Sequence, residues 1–232
     1  MKLPMITGLI DRRILINYRV DKDVVRKLLP TPFRPKLVMG HAIAGICLIR
    51  LKDIRPKGLP AFLGIGSENG AHRIAVEWEE NGVLKEGVFI PRRDSSSMLN
   101  HLAGGRVFPG IHYHARFMVE ESNGLYKVGF KSSDGTSLAI EAETSDKWPS
   151  GSVFDEMSAA SDFFEKACDG YSPGKNGLEG LRLITAEWKV QALEVAHVQS
   201  SYFENAEIFP EGSIEFDNAL LMKGIPHEWE SI

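Results

Sequence analysis

The residues best suited to chemistry crowd into one segment, Gly104 to His114 (GGRVFPGIHYH). Paired glycines reach backbone conformations closed to other residues, and Phe108-Pro109-Gly110 forces a turn just before an extended run. Arg106 and the entrance of that run should therefore be held rigidly, as a ligand site requires. Beyond the turn, strand alternation places His112, His114 and Arg116 on one face and Ile111, Tyr113, Ala115 and Phe117 on the other. Histidines separated by one residue stand roughly 6 to 7 Å apart at Cα, close enough for both imidazoles to reach one metal. No third histidine or carboxylate adjoins them in sequence, so no metal is assigned, and His114 reads first as part of a polar, outward strand face. His112 is the candidate proton-transfer group, because imidazole titrates near neutrality.

A second candidate is Glu68, in the turn-like stretch Gly66-Ser67-Glu68-Asn69-Gly70 that leads into an apolar strand. There a carboxylate can point into a barrel mouth, although an ordinary loop acid would look the same. Asp94 reads as a helix cap, and Asp134, Asp155 and Asp217 as turn or cap residues. Other devices are missing. Ser95, Ser96 and Ser97 lack the strand-turn-helix setting of a nucleophile elbow, and His227-Glu228-Trp229 has no second histidine to complete a zinc motif. Gly64-Ile65-Gly66 is not followed by a helical pattern, so no nucleotide-binding loop is indicated.

The elements that must carry these residues are mostly strands. Residues 12–20 (RRILINYRV) read as a first strand, followed by a short helix capped by Asp21 and stopped by Pro30. Residues 37–51 form a long apolar run read as one buried, bent strand, with Gly40 and Gly45 at the bend. From residue 70 to residue 146 the period is two, and Asn81-Gly82, Asn123-Gly124 and Asp134-Gly135 signal hairpins. Helices are expected over 95–102 and over 154–168, the latter with Phe154, Met157, Ser161, Phe164 and Cys168 on one apolar face. Strands return over LRLITAEWKV, LEVAHVQSSYF and GSIEFDNALLM. Together these predict a mainly β (α+β) chain, residues 1–232 forming one domain.

Composition narrows the function classes. With 43% hydrophobic and 25% charged residues and a net charge of −4, the chain has no basic tract for a nucleic-acid backbone. No apolar run is long enough to span a bilayer, and the first ten residues lack the apolar core of a secretory signal. No membrane partner is expected, and the cytoplasm is the expected compartment. Cys47, in an apolar strand, and Cys168, ending a helix, read as free thiols rather than a bridge. A chain of this length buries roughly 70% of its unfolded surface, so stability requires no cofactor, and none is expected.

Several motifs, in order, resemble a known family. Tyr18-Arg19-Val20-Asp21 before VVRKLLP, then Ser67-Glu68-Asn69-Gly70, then Asp94…Gly105-Arg106…Phe108-Pro109 are similar to the acetoacetate decarboxylase-like superfamily. GVFIPRRD, LAGGRVFPG, SSYF and HEW resemble its branch known only as a domain of unknown function. The resemblance implies a closed, cone-like antiparallel β-barrel with peripheral helices and an internal ligand cavity. In the decarboxylases a lysine directly after the Phe-Pro pair forms a Schiff base, with a second lysine beside it lowering its pKa, an enzyme that also serves as a general example of such activation. Gly110 and Ile111 occupy the matching positions here, and neither can form an imine. The family's cavity glutamate matches Glu68, and its first-strand arginine matches Arg12 or, one residue on, Arg13. Its second glutamate falls near Gly45 to Cys47 and is missing.

These readings predict a barrel that binds a small carboxylate or carbonyl compound, such as a keto acid, through Arg12, Glu68, Arg106, His112 and His114, without Schiff-base decarboxylation. His112 and Glu68 are the catalytic candidates if a reaction occurs, in which case a lyase or hydratase-like step without an imine is the alternative. A non-enzymatic oligomeric or regulatory protein is the third reading, favoured if Phe89 and Trp188 fill the interior. Homo-oligomerisation is expected from the resemblance alone.

Overall fold

A computed structural model describes residues 5–97, 109–174 and 177–232. The strands run in the order β1 (Ile6–Val20), β2 (Arg34–Pro35), β3 (Leu37–Val38), β4 (His41–Pro56), β5 (Ile65–Glu80), β6 (Val83–Ser95) and β7 (His112–Ser122). They continue with β8 (Leu125–Ser132), β9 (Ser137–Ser145), β10 (Asp169–Gly174), β11 (Gly177–Thr185), β12 (Gln191–Ser200) and β13 (Ile214–Ser231). Helix α1 (Lys22–Leu28) follows β1, and α2 (Met157–Glu165) precedes β10.

All thirteen strands among the described residues belong to one sheet that closes on itself twice. One hydrogen-bonded circuit runs β1-β4-β5-β6-β10-β11-β13, and a second runs β6-β7-β8-β9-β12-β13-β1-β4-β5. Most joins are antiparallel, as expected, but β6 pairs in parallel with both β7 and β10. The strands common to both circuits have a hydrophobic core on each face, so they are buried without alternation, a pattern typical of covered sheets. In β1, Ile14 and Ile16 enter one core while Leu15 enters the other. In β4, Ile46 and Leu48 enter the first and Ile43 and Cys47 the second. Each such Ile or Leu contributes about 1.5–3 kcal/mol of transfer free energy.

The two cores differ in filling. Within the larger circuit Phe33 stands edge-on to Trp78 with ring centroids 5.3 Å apart, and Phe89 and Tyr171 pack on the same group. Within the smaller circuit α2 lays Ala160, Phe163 and Phe164 over the sheet, and a chamber is left beneath.

Local chemistry accounts for most boundaries. Asp21 caps α1 by accepting from the Asp23 and Val24 amides at 2.7 and 3.3 Å. Asn81-Gly82 and Asn123-Gly124 both take positive φ, as type I′ hairpin turns demand. Four expectations are corrected. The run 37–51 breaks at Met39-Gly40, both left-handed, into β3 and β4, because a hairpin turn there pairs Leu37 with Ala42. Residues 66–70 lie inside β5 rather than in a turn, paired to β4 with Glu68 opposite Arg50. Asp94, expected ahead of a helix, is a fully buried residue of β6, bound to Arg92 and Ser132. Strand β11 ends at Thr185, so Trp188 and Val190 belong to a loop packed on the second core. Of the helix expected over 95–102, Ser95 ends β6, residues 96–97 are irregular, and residues 98–102 lie outside the described residues.

Candidate functional site

Two strand irregularities decide which residues reach the chamber. In β1, Ile10 pairs with Leu51 and Arg12 with Arg50, so Asp11 is an extra residue, a β-bulge that reverses the alternation. Ile10 and Arg13, three apart, consequently share the chamber face, while Arg12 turns to the opposite face. In β6, His72 pairs with Arg92 and Ile74 with Phe89, leaving one residue too many around Pro91. Proline suits a bulge because it cannot donate to a ladder. The reversal brings Val88 and Ile90, and then Arg93 and Ser95, to the same chamber.

The chamber has a volume of about 110 Å3. A single water needs roughly 10–15 Å3 of such space, so there is room for several waters or one small metabolite. Its walls are largely aliphatic, with Ile49, Leu51, Leu181 and Leu183 among them, and Trp229 closes one side. This apolar space is also lined by Arg13, Arg73 and Arg93, together with Cys47, Asn69, His112 and Asp94, whose carboxylate is bound to Arg92.

Register explains the cluster at the sulfur. Arg13 pairs with Ile49, Leu15 with Cys47 and Asn17 with Gly45, while Gly45 also faces Arg73 across the β4–β5 ladder. Cys47 thus sits between the rung of Arg13 and the rung of Arg73. Arg73 Nε donates to Cys47 Sγ at 3.1 Å, and Arg13 Nη2 does so at 3.6 Å. Gly45 is required here, since a Cβ would strike the Ile16 carbonyl and push β4 off β1. Arg73 also donates to Asn17 Oδ1, and its guanidinium lies 4.6 Å from the Phe164 ring centre. Arg13 lies 5.6 Å from the Trp188 ring centre, and its Nε meets no partner among the described residues. Arg93 donates to the Pro109 carbonyl at 2.8 Å.

Electrostatics follow from this packing. Burial pushes the Arg73 guanidinium down, and it pushes Arg93 down to about 10. Burial would raise the Cys47 thiol, but the charges of Arg73 and Arg13 and their hydrogen bonds outweigh it and hold the thiol below its usual value. None of Arg13, Arg73 and Arg93 has a carboxylate within 4.0 Å among the described residues. Buried cations are normally paired, so this surplus of positive charge is the unusual property of the site.

The residues expected from sequence are scattered by the fold. His112 lines the chamber. Arg12 and Glu68 do not; they bind each other at 2.5 Å on the opposite side of the sheet. His114 is also absent from the lining, and its carbonyl accepts from the Ser133 amide at 3.0 Å. Arg106 lies outside the described residues. No group of three metal-ligating side chains occurs among the described residues, and no helix there is long and apolar enough to cross a membrane. Of the aromatics expected to fill the interior, Phe89 packs in the first core and Trp188 borders the second, half-buried.

Sequence reasoning passed over Arg73, Arg93 and Cys47. One signal was present for Arg73, an arginine flanked at alternate positions by Ala71 and Ala75, which is an apolar face bearing a single charge. For Arg93 there was none, because the bulge that turns it inward leaves no trace in the period.

The fold matches solved structures of low sequence identity. An acetoacetate decarboxylase from Legionella pneumophila subsp. pneumophila str. Philadelphia 1 aligns with TM-score 0.62 and 13% identity, over 99% of this chain and 87% of that one. The enduracididine biosynthesis enzyme MppR, solved in complex with pyruvate, aligns with TM-score 0.60 and 10% identity, over 100% and 89%. An acetoacetate decarboxylase-like enzyme from Sphingomonas wittichii RW1 gives TM-score 0.57 and 12% identity, over 98% and 89%. These likenesses establish a common fold, the cone-like acetoacetate decarboxylase-like architecture. A comparison with curated proteins found no match. The DUF2071 family model, described as an uncharacterized conserved protein, matches residues 10–223, and the chain belongs to that family.

Proposed function

We propose that the chamber binds a small carboxylate, most simply a keto acid, through Arg13, Arg73 and Arg93, without an imine. The carrying observation is the set of three arginines facing one chamber, none with a carboxylate within 4.0 Å among the described residues; Asp94, the acid in the lining, is bound to Arg92. An anionic guest would supply the missing charge, and guanidinium binds carboxylate in two parallel hydrogen bonds. The described lining holds no lysine, which supports binding without a Schiff base. The pyruvate in the MppR complex is a ligand of the size and charge that this chamber suits. Within this reading His112 handles protons at the wall, while Arg12, Glu68 and His114 contribute through the scaffold rather than by touching the guest.

Thermal shift with pyruvate and related keto acids tests the assignment. A ligand at a hundredfold its dissociation constant stabilises by about 2.7 kcal/mol, which in a chain of this size is roughly 5–10 °C. Arg73→Met and Arg93→Met should each remove most of that shift while leaving the far-ultraviolet spectrum unchanged. If no small carboxylate raises the melting temperature, or if both variants respond like the wild type, the chamber is not an anion site. A borohydride-trapped adduct on any lysine would overturn the second half of the proposal.

A further inference from the structure

Cys47 occupies a position that carboxylate binding alone does not require. A buried structural thiol usually sits among aliphatic groups and is inert. This one faces the chamber, with guanidinium nitrogens at 3.1 and 3.6 Å and no carboxylate within reach of either arginine. Cationic neighbours stabilise the thiolate, which is the nucleophilic form. The protein carries its own control in Cys168, which also borders the chamber but is exposed and directs its sulfur to the Asp169 carboxylate at 3.8 Å. An adjacent carboxylate disfavours thiolate, so the two sulfurs of one chamber have opposite surroundings.

We propose that Cys47 is the nucleophile of the chamber and adds reversibly to the carbonyl carbon of the bound keto acid. This rests on the carboxylate-binding reading above. In the step the sulfur forms a bond to the carbonyl carbon, and the carbon–oxygen π bond breaks onto oxygen. The resulting alkoxide takes a proton from water to give a thiohemiketal, while the carboxylate stays ion-paired to the arginines. No oxidation occurs, and reversal returns the starting acid. The geometry favours this over a bystander role because the groups that would anchor the carboxylate are the same ones that flank the sulfur, which places a 2-oxo carbon beside it.

Two probes test the proposal on the full chain. Bromopyruvate, in which sulfur displaces bromide, should alkylate Cys47 roughly tenfold faster than Cys168, with saturation kinetics and with protection by pyruvate. Iodoacetamide, which is neutral, should instead prefer the exposed Cys168. With pyruvate labelled by carbon-13 at its carbonyl, a protein-bound tetrahedral carbon signal should appear in the wild type and in Cys168→Ser and vanish in Cys47→Ser. Preferential labelling of Cys168 by bromopyruvate, or a tetrahedral signal that survives in Cys47→Ser, overturns the nucleophile. If the signal is absent throughout but pyruvate still stabilises the wild type and Cys47→Ser, binding stands and the covalent step falls. Should pyruvate stabilise neither protein, both readings fall together.

Discussion

Arg12 and Arg13 are adjacent in the chain and opposite in circumstance. Arg12 is fully buried and binds Glu68 and Glu121, each at 2.5 Å, while Arg50 binds the same two acids from the next strand. Asp11 and Lys52 complete that cluster, which holds three cations and three anions. Arg13, on the other face, joins Arg73 and Arg93 around a chamber whose lining acid, Asp94, is bound to Arg92, and none of the three has a carboxylate within 4.0 Å among the described residues. The contrast separates two uses of arginine. One neutralises itself and fastens β1, β4, β5 and β7 together; the other leaves its charge without a carboxylate within 4.0 Å among the described residues.

The two sites should therefore fail differently under mutation. Arg12→Ala strips a buried partner from two carboxylates and should cost about 3 kcal/mol in a urea unfolding series. Arg13→Ala releases no acid and should change stability by less than about 1 kcal/mol. Equal losses for the two would erase the distinction.

Acid should expose the chamber side next. His227 is buried, and desolvation, assisted by the charge of Arg13, lowers its pKa from 6.5 to about 4. The unfolded imidazole therefore gains its proton near pH 6.5, whereas the folded one resists until about 4. Stability contributed by the neutral form is full above 6.5 and is lost as pH falls toward 4, by about 2 kcal/mol between pH 7 and pH 5 for this one group. Arg13→Met should shrink that loss and Arg12→Ala should not, as urea midpoints collected across the pH range would show. Buried His72, with a pKa near 3 for the same dominant reason, adds a slope in the same direction that neither variant alters.

The smallest effect belongs to the rim of the neutralised cluster. Glu121 shares Arg12 and Arg50 with Glu68, so Glu121→Gln leaves Glu68 to both arginines and Asp11 to Arg50, and should cost under about 1 kcal/mol. A larger loss in a denaturant titration would mean that the cluster acts as a unit and not as separable pairs.

Much of the fold was legible from local chemistry. Asn-Gly pairs need left-handed conformations, and both produced the predicted hairpins. Asp21 ahead of helical spacing produced a capped helix. The extra turn at Met39-Gly40 was hidden because the run around it is apolar throughout, and strands buried on both faces do not alternate. The same continuity hid the face on which each polar residue would lie. Glu68 looked like a loop acid because Gly66 and Gly70 flank it, yet cross-strand pairing with Arg50 keeps it in β5.

For the site itself, residue types were fixed by the chain: arginines in tandem, a cysteine in an apolar strand, and a histidine after the sequence Phe-Pro-Gly-Ile. Their orientation was not. A single bulge at Asp11 and another near Pro91 reverse the alternation downstream, and each exists only because two strands of unequal count are paired. Pairing is a property of the closed sheet, so which of two adjacent arginines met an acid and which faced the chamber was decided only when the circuits closed.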